Sequence, residues 1–361
     1  MGDARRVTDG LRERVNAALD EFVTAAADEL RATGDEFAPM ADAARDFVLD
    51  GGKRLRPAFC FWGGLAAGAE DSDALVRAAA SLELLQACAL IHDDVIDHSD
   101  TRRGRPAVHR RFADLHRASG WSGDPDEFGA AAAILLGDVL LAWSEAMIAT
   151  SGLDDDALRR AQPVSMAMRT EVMAGQYLDI VEQARGATTV ERALRVARLK
   201  SAKYTVERPL HLGAAIAGAA PDVAAAFSRY GIPLGEAFQL RDDLLGVFGD
   251  PDVTGKPAGD DLREGKQTVL ISLALDKVDE ASAAQLRSSL GASALTDEDI
   301  SELRNVITAS GAAADVEAMI KTRLSDALVA LDSMRLDTTD LRRASFSALA
   351  ALADAASYRH G

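Results

Sequence analysis

The sequence is short of several residue classes, and each shortage excludes a class of protein. Aromatic residues make up 5% of its 361 residues, and alternating runs of β-branched residues are missing, so few strands are expected. No unbroken apolar run is long enough to cross a bilayer, which argues against an integral membrane segment. The two cysteines, Cys60 and Cys88, are too few for a disulfide scaffold and lack metal-ligand spacing.

Basic residues are in the minority. The chain has 40 Lys and Arg against 57 Asp and Glu, which gives a net charge of −17. This balance argues against nucleic acid or an anionic membrane surface as the main partner. The first 30 residues also lack the apolar core of a signal peptide. We therefore expect a globular, cytoplasmic protein.

Helical patterning dominates the chain, with Ala, Leu, Arg, Glu and Asp in its periodic segments. It predicts an all-α protein in which Pro209 kinks its helix. No long linker and no internal repeat is found, so residues 1–361 are expected to form a single domain. We expect Trp62, Trp143, Met166, Met168 and Met173 in the core or lining a cavity. The predicted helices lie near residues 11–33, 40–49, 55–68, 73–98, 130–151, 156–184, 189–219, 223–248, 262–277, 298–310, 313–334 and 338–357.

Three aspartates stand at the end of the predicted helix over residues 73–98. Asp93 and Asp97 are four residues apart, so their carboxylates lie one turn apart on one face, with Asp94 beside them. Like charges repel at this spacing, and negative charge at a helix C-terminus opposes the helix dipole. A divalent cation would relieve both effects, and Mg²⁺ prefers such oxygen ligands. On these residues alone, a solvated helix end remains the alternative.

Basic residues cluster at two places in this acidic protein. Residues 101–111 contain five arginines directly after the aspartates. Arginines beside carboxylate-bound Mg²⁺ suit a diphosphate group, although simple neutralisation of the acidic turn is the alternative. The second cluster, Gly51-Gly-Lys-Arg-Leu-Arg-Pro57, opens a helix whose glycines and N-terminus favour an anion. Two separate clusters fit two anionic substrates.

A second acidic motif, Phe238-Gln-Leu-Arg-Asp-Asp-Leu-Leu-Gly246, lies near the end of another predicted helix. Gln239 precedes Asp242 by three residues and Asp243 by four, so the three side chains can share one face. The motif leads into a glycine-rich loop over residues 255–266 that carries two lysines and can fold over phosphates. This loop does not have the spacing of a P-loop.

Taken in order, these pieces resemble the trans-isoprenyl diphosphate synthases, also called polyprenyl synthetases. The resemblance is closest to bacterial, actinobacterial-type geranylgeranyl diphosphate synthases. It spans residues 51–266, whereas residues 280–361 carry amphipathic helices that we expect to serve packing. The matching pieces are residues 52–57, the Asp93–Asp97 motif, Arg102-Arg103, Lys200-Ser201, Phe238-Gln239 with Asp242-Asp243, and the loop from Lys256 to Lys266.

The resemblance implies one large helical bundle around a deep central cavity, the isoprenoid synthase fold. It also implies a homodimer and three Mg²⁺ ions per active site. The implied activity is prenyl transfer, condensing isopentenyl diphosphate with allylic diphosphates to give all-trans geranylgeranyl diphosphate. A longer-chain polyprenyl diphosphate synthase and a non-catalytic subunit that binds prenyl diphosphates remain as alternatives. A class I terpene cyclase fits less well, because it has no use for the basic cluster over residues 51–57.

The resemblance also assigns roles by position. Gly246 stands where the second motif of the family has its last aspartate, and Ser201 stands where threonine is commoner. The implied metal ligands are Asp93, Asp97 and Asp242, supported by Asp94 and Asp243. The allylic diphosphate is expected to bind Arg102, Lys200, Ser201, Gln239, Lys256 and Lys266, and isopentenyl diphosphate to bind Lys53, Arg56, Gln86 and Arg103.

Product length is predicted from the helix face below Asp93. Ala89 lies one turn below it and Cys88 is next in sequence, so the wall at this level is small. In the family, bulky aromatic residues at these two positions stop chain growth at farnesyl diphosphate. Their absence predicts geranylgeranyl diphosphate or a longer product.

Overall fold

The structure is a computed structural model that describes residues 2–186, 188–250, 259–292, 295–334 and 340–357. Within these ranges every regular element is helical except for one two-stranded hairpin, so the all-α prediction is confirmed. The chain divides into two compact units, Met1–Ala161 with Gly213–Gly218, and Gln162–Leu212 with Ala219–Gly361. The single domain over residues 1–361 stays a prediction.

The first unit is built around helix α4, whose start is fixed by the Ser72 hydroxyl accepting a hydrogen bond from the backbone N–H of Leu75 at 3.2 Å. Helix α4 packs mainly on α6 and also on α1 and α3. Its apolar residues, such as Leu82, Leu84 and Leu85, are almost fully buried. The elements are α1 Gly2–Ala32, α2 Ala38–Leu49, α3 Leu55–Ala67, α4 Asp73–Ile96, β1 Thr101–Arg102, β2 Arg105–Pro106, α5 Val108–Ser119 and α6 Pro125–Ala149, with a 3₁₀ turn at Asp35–Phe37.

The second unit is built around helix α10, which packs on α15 and on a π-helical segment. Its buried core includes Leu240, Val247, Leu262 and Leu270. After α7 Asp155–Arg185, the elements are α8 Val190–Ala197, the π-helical segment Arg198–Glu207, α9 Arg208–Ile216, α10 Pro221–Phe248, α11 Asp260–Arg263, α12 Val269–Lys277, α13 Glu280–Ser289, α14 Asp297–Ala309, α15 Ala312–Ser333 and α16 Asp340–Ser357.

Several predicted elements need correction. The kink expected at Pro209 is preceded by the π-helical segment Arg198–Glu207, and the helix predicted over 262–277 is two helices, α11 and α12. Helix α5, Val108–Ser119, is absent from the predicted helices, because the basic residues of this stretch also fit an anion-binding loop. Met168 is buried, but Met166 and Met173 are 58% and 49% exposed, so these two are not core residues. That they line a cavity stays a prediction.

Two described helices are long and apolar enough to satisfy a membrane-span test. Helix α4 passes with 72% of its apolar window buried inside the protein, and α6 passes with 39% buried. A mostly buried core helix of a folded domain, such as α4, passes the same test. Length and composition of these two helices are therefore weak support for a membrane segment.

Candidate active site

The aspartate-rich end of α4 is a compact ion-pair cluster. Asp94 is fully buried and accepts a hydrogen bond from Arg102 Nε at 2.8 Å, with a further contact from the same guanidinium. The Arg102 guanidinium also lies 3.8 Å from Asp93. Asp97 caps the helix, its backbone N–H donating to the carbonyl of Asp93 at 2.8 Å. Asp93 and Asp97 are thus held one turn apart, while Asp94 fixes the arginine beside them.

The hairpin after α4 positions two of the predicted arginines. Strands β1 and β2 pair Arg102 with Arg105, which leaves Arg103 and Gly104 as a two-residue turn with positive φ at both positions. This is the conformation that tight hairpins adopt, and glycine supplies it without strain. Arg103 donates to the backbone carbonyl of Asp50 at 2.8 Å and lies over the Phe47 ring. The turn therefore brings Arg103 to the loop before α3.

Buried charge holds that loop in place. Arg54 adopts a left-handed backbone conformation, φ 52°, at the start of α3. Its side chain is 5% exposed and donates to Glu83 at 2.7 Å, to Asn16 at 2.9 Å and to the Val48 carbonyl at 3.0 Å. A buried guanidinium with every face satisfied is a rigid anchor. The basic loop is thus fixed to α4 through Arg54 and Glu83.

The residues predicted to bind isopentenyl diphosphate surround this anchor. Lys53 is exposed and Arg56 half-buried, on either side of Arg54. Gln86 follows Glu83 by three residues, so it lies on the same side of α4, and its buried carbonyl oxygen has no hydrogen-bond partner among the described residues. Desolvation lowers the pKa of Arg103, and the charges of Arg54 and Arg102 act in the same direction, while Glu83 and Asp50 oppose them. Positive charge is therefore concentrated here.

In the second unit, Asp179 of α7 brings two predicted lysines together. Lys200 Nζ lies 2.9 Å and Lys266 Nζ 3.7 Å from the same Asp179 oxygen. Lys200 and Ser201 belong to the π-helical segment, and Ser201 is buried. A Cβ on Gly175 would come within 2.7 Å of the Lys200 backbone, so glycine at this position permits the close approach of α7. Lys256 lies outside the described residues.

The second acidic motif lies at the end of α10 and carries a perturbed carboxyl group. Gln239 donates to Asp243 at 2.8 Å. Desolvation raises the pKa of Asp243 well above its ordinary value, and the negative charges of Asp261, Asp242 and Asp179 raise it further against the effect of the Gln239 hydrogen bond. Four carboxylates therefore interact electrostatically around this end of α10.

Gly246 stands where the family motif has an aspartate, and it lies against the Asp261 carboxylate. A Cβ built on Gly246 would be 2.0 Å from an Asp261 oxygen and 2.3 Å from its carboxyl carbon. A side chain at position 246 and the present position of Asp261 exclude each other. The glycine thus makes room for a carboxylate from α11.

The two residues predicted to set product length face different neighbours. Cys88 is buried, and its sulfur lies 3.8 Å from Nδ1 of His92. The His92 ring contacts α6, with Nε2 3.0 Å from the Ile134 carbonyl, and occupies the space beside Gly137. Cys88 therefore lies on the α6 side of α4, while Ala89 is half-buried and shares its face with Asp93. Their effect on product length stays a prediction.

The comparisons with known proteins agree with this geometry. A family model described as polyprenyl synthetase matches residues 38–307. The chain belongs to the polyprenyl synthetase family. It is 34% identical over 287 residues to the geranylgeranyl diphosphate synthase of Mycobacterium tuberculosis, covering 79% of this chain and 76% of the relative. It is 33% identical over 277 residues to the geranylfarnesyl diphosphate synthase of Aeropyrum pernix, covering 76% and 80%.

A solved structure extends this result over nearly the whole polyprenyl synthetase chain. The geranylgeranyl pyrophosphate synthase of Corynebacterium glutamicum, solved with isoprenyl diphosphate and magnesium, is 46% identical. It superposes with a TM-score of 0.92 and covers 98% of this chain and 99% of that one. The predicted isoprenoid synthase fold is therefore confirmed.

The donor set of this polyprenyl synthetase fits Mg²⁺. Across the described ranges, no three His, Cys, Asp or Glu side chains converge as a closed metal site requires. Mg²⁺ usually takes only one or two carboxylates and completes its octahedron with water and substrate phosphate oxygens. Asp93 and Asp97 at the end of α4 are oxygen donors of this kind, and in the second unit so is Asp242 near the end of α10.

Four residues of the site were not singled out from the sequence. They are Arg54, Glu83, Asp179 and Asp261. Glu83 did carry a signal, since a lone acidic residue inside the apolar stretch 74–92 must find a cationic partner when buried. Arg54 and Asp261 lie inside the motifs over residues 51–57 and 255–266, where the resemblance assigns roles to other residues. Asp179 carried no signal, because its lysine partners are distant in sequence.

Proposed function

We propose that this polyprenyl synthetase is a Mg²⁺-dependent trans-prenyltransferase that condenses isopentenyl diphosphate with an allylic diphosphate. The observation that carries the proposal is the end of α4, where two aspartates one turn apart lie beside an arginine already fixed by Asp94. Carboxylates that can hold Mg²⁺ next to an arginine form a site for a diphosphate leaving group. The relatives named as prenyl diphosphate synthases support the same reaction.

Catalysis in this proposal rests on electrostatics rather than on a protein nucleophile. When bound, Mg²⁺ neutralises charge on the departing diphosphate. Arg102, Lys200 and Lys266 add fixed positive charge to stabilise the same leaving group. Asp93, Asp97 and Asp242 hold the metal, and we expect three Mg²⁺ ions per active site. Gln239, Ser201 and Lys256 complete the proposed allylic site.

The second substrate is assigned to the loop before α3. Lys53, Arg56, Gln86 and Arg103 hold the diphosphate of isopentenyl diphosphate, and the Arg54–Glu83 pair keeps the loop rigid. The allylic C–O bond breaks as its diphosphate departs, and the double bond of isopentenyl diphosphate forms the new C–C bond to the allylic carbon. The proton that the product then loses passes to the departed diphosphate. An apolar surrounding keeps water away from the cationic carbon.

Geranylgeranyl diphosphate is the proposed product. The small residues Cys88 and Ala89 support growth beyond farnesyl diphosphate. Relatives of nearly equal identity are named for geranylgeranyl and geranylfarnesyl products, so a longer product is the second candidate. We further propose a cytoplasmic homodimer, supported by the exposed apolar residues Ile134 and Leu135 on α6.

The test is turnover by the purified protein. With Mg²⁺, isopentenyl diphosphate and an allylic primer, we expect a prenyl diphosphate whose length is read by chromatography after dephosphorylation. Asp93→Ala and Asp97→Ala should each lower kcat/KM at least about a hundredfold. This factor corresponds to the loss of several kcal/mol of transition-state stabilisation. Asp114→Ala, an exposed aspartate on α5, serves as the matched control.

Two results would contradict the proposal. Absence of turnover with every primer, in a folded protein that still binds prenyl diphosphates, would favour the non-catalytic subunit. Retention of more than about a tenth of wild-type kcat/KM in both aspartate variants would refute the metal role.

A further inference from the structure

A single carboxylate of α7 bridges the last turn of the π-helical segment. Glu171 accepts a hydrogen bond from Lys203 Nζ at 2.8 Å and two from the Arg208 guanidinium at 2.6 and 2.7 Å. The same two residues are joined through the backbone, because the N–H of Arg208 donates to the carbonyl of Lys203. Glu171 therefore binds both residues whose hydrogen bond closes this turn.

The spacing of these two cations depends on the register of the helix. In an α-helix, residues three and four apart share a face, whereas residues five apart diverge by about 140° around the axis. A π-helix closes each turn with a hydrogen bond between residues five apart, so these residues lie one above the other. One carboxylate can thus bind Lys203 and Arg208 together in the π register, and the α register would separate them.

The face of α7 that carries Glu171 follows the segment back to the residues predicted to bind the allylic diphosphate. Gly175 and Asp179 follow Glu171 at intervals of four residues, so the three positions share a face. A Cβ on Gly175 would lie 2.7 Å from the Lys200 backbone nitrogen, and Asp179 pairs with Lys200 Nζ at 2.9 Å. A change from π to α register would turn Lys200 and Ser201 relative to this face, because each turn would lose one residue.

A buried histidine fixes Arg208 in this bridge. His211 is 9% exposed, and its Nδ1 lies 3.2 Å from a terminal nitrogen of the Arg208 guanidinium. Because a guanidinium can only donate, this Nδ1 accepts, while Nε2 donates to the Ala224 carbonyl at 2.9 Å. The neutral ring therefore satisfies both partners, and burial lowers its pKa. Arg208 is held between Glu171 on one side and His211 on the other.

We propose that Glu171 is a positioning residue for the allylic substrate, because it holds the π register that presents Lys200 and Ser201. The inference rests on the proposed prenyltransferase function. Glu171 acts through Lys203 and Arg208 rather than on the substrate itself. Its loss is therefore expected to weaken binding of the allylic diphosphate and to leave binding of isopentenyl diphosphate unchanged.

The first measurement compares the two KM values in full-length Glu171→Gln. Because misplacement of a binding group by about 1 Å can cost up to about a hundredfold, we expect the KM for the allylic primer to rise about tenfold or more. The KM for isopentenyl diphosphate should stay at the wild-type value. Titration calorimetry with geranyl thiodiphosphate, an unreactive allylic analogue, in the presence of Mg²⁺ should show the same loss of affinity.

Glu182→Gln is the matched control. Glu182 is another carboxylate of α7 that pairs with two arginines, Arg185 and Arg192, and neither arginine belongs to the π-helical segment. Its substitution also leaves cations without their carboxylate and should lower thermal stability. Both KM values should nevertheless stay at the wild-type level.

A charge-balanced variant separates positioning from charge balance. Glu207 lies 3.2 Å from Lys203, so two acidic and two basic side chains meet here, and Glu171→Gln leaves one positive charge in excess. Adding Lys203→Gln removes that charge and should recover the thermal stability lost in the single variant. The primer KM should stay raised, because no carboxylate of α7 then bridges the turn. Should the single variant fail to fold, the double variant provides the same comparison.

Three results would contradict these expectations. A wild-type primer KM in folded Glu171→Gln, or equal increases in both KM values, would overturn the inference while leaving the proposed function intact. Recovery of the primer KM together with stability in the double variant would also overturn it, since charge balance alone would then explain the effect. If the wild type neither binds geranyl thiodiphosphate nor turns over, the proposed function itself fails.

Discussion

At the scale of single residues, the buried pair of Arg54 and Glu83 decides how the basic loop is held. Both side chains are less than 10% exposed. The Arg54 guanidinium also donates hydrogen bonds to Asn16 of α1 and to the Val48 carbonyl near the end of α2. A buried pair contributes little net stability over an apolar pair, but removing one partner leaves the other charge uncompensated. Glu83 therefore acts on the substrate loop through Arg54.

We expect Glu83→Gln to lower the free energy of unfolding by about 3–5 kcal/mol, because Arg54 keeps its buried charge. In the folded fraction, the KM for isopentenyl diphosphate should rise more than the KM for the allylic primer. Urea unfolding and steady-state kinetics measure the two effects. Glu21→Gln breaks the exposed pair with Arg77 and should cost less than about 1 kcal/mol. Equal increases in the two KM values would contradict the prediction that Glu83 acts mainly on the binding of isopentenyl diphosphate.

Asp243 gives a prediction for pH dependence. Burial, with repulsion from three neighbouring aspartates, raises its pKa in the folded chain. Above the ordinary pKa of an aspartate, the folded chain holds this proton more tightly than the unfolded chain, so the contribution of Asp243 to stability falls as pH rises. Asn at this position stays neutral and escapes that loss.

In metal-free buffer, Asp243→Asn should therefore be more stable than wild type near pH 8, with the difference shrinking toward pH 4. Urea unfolding across this pH range measures it, with the exposed Asp114→Asn as control. A variant less stable than wild type at pH 8 would show that the carboxylate is stabilised by something other than the groups named here.

At the scale of elements, the π-helical segment Arg198–Glu207 is shaped by glycines on its neighbours. A Cβ on Gly235 would lie 2.3 Å from the Ala202 Cα, and one on Gly231 would lie 3.0 Å from the Glu207 Cα. Lys203 and Arg208 both pair with Glu171 of α7, at the end of the segment. Close backbone packing therefore holds the wide turn that carries Lys200 and Ser201.

Gly235→Ala should disturb this packing, because the obstacle is backbone rather than a movable side chain. We expect a loss of about 1–3 kcal/mol in the free energy of unfolding and a raised KM for the allylic primer. Gly10→Ala on α1 meets no atom within 4 Å and should be neutral or stabilising by about 0.5–1 kcal/mol. If the Gly235 variant keeps wild-type stability and primer KM, the π-helical segment does not depend on the close approach of α10 at Gly235.

The face of α4 below Asp93 carries the prediction on product length. Ala89→Phe, alone or with Cys88→Phe, should shift the product toward farnesyl diphosphate by placing a ring below Asp93. Chromatography of dephosphorylated products measures the shift. If the wild type already stops at farnesyl diphosphate, or the Phe variants make the wild-type product, the small-wall argument is wrong.

At the scale of the whole molecule, exposed apolar side chains support association between copies of the chain. Ile134 is 46% exposed and Leu135 is 57% exposed on α6, a helix rich in apolar residues. Contiguous exposed apolar surface marks interaction sites, and these two residues are adjacent in sequence. The proposed homodimer would cover them.

We expect light scattering after size exclusion to give twice the chain mass. Leu135→Glu should shift the protein toward the monomer, because a charge buried in an apolar interface lacks a partner. Val329→Glu, at a residue 67% exposed on α15, is the matched control and should leave the mass unchanged. A monomeric wild type would refute the homodimer.

The sequence by itself determined the helical class and most helix positions, because these follow from local rules. Helical periodicity places Asp93 with Asp97, and Gln239 with Asp243, because residues one turn apart share a face in any helix. Breakers such as Gly120 and Pro221 end or begin helices through their own backbone preferences. No packing information is needed for these conclusions.

The tertiary structure alone decided which distant residues meet. Arg54 and Glu83 are 29 positions apart, Asp179 and Lys200 are 21 apart, and Asp261 reaches Gly246 from another helix. Periodicity relates residues within one element, whereas these pairs depend on how elements pack and on whether glycine permits close approach. Packing of α11 on α10 in the same way places the Asp261 carboxylate in the space beside Gly246.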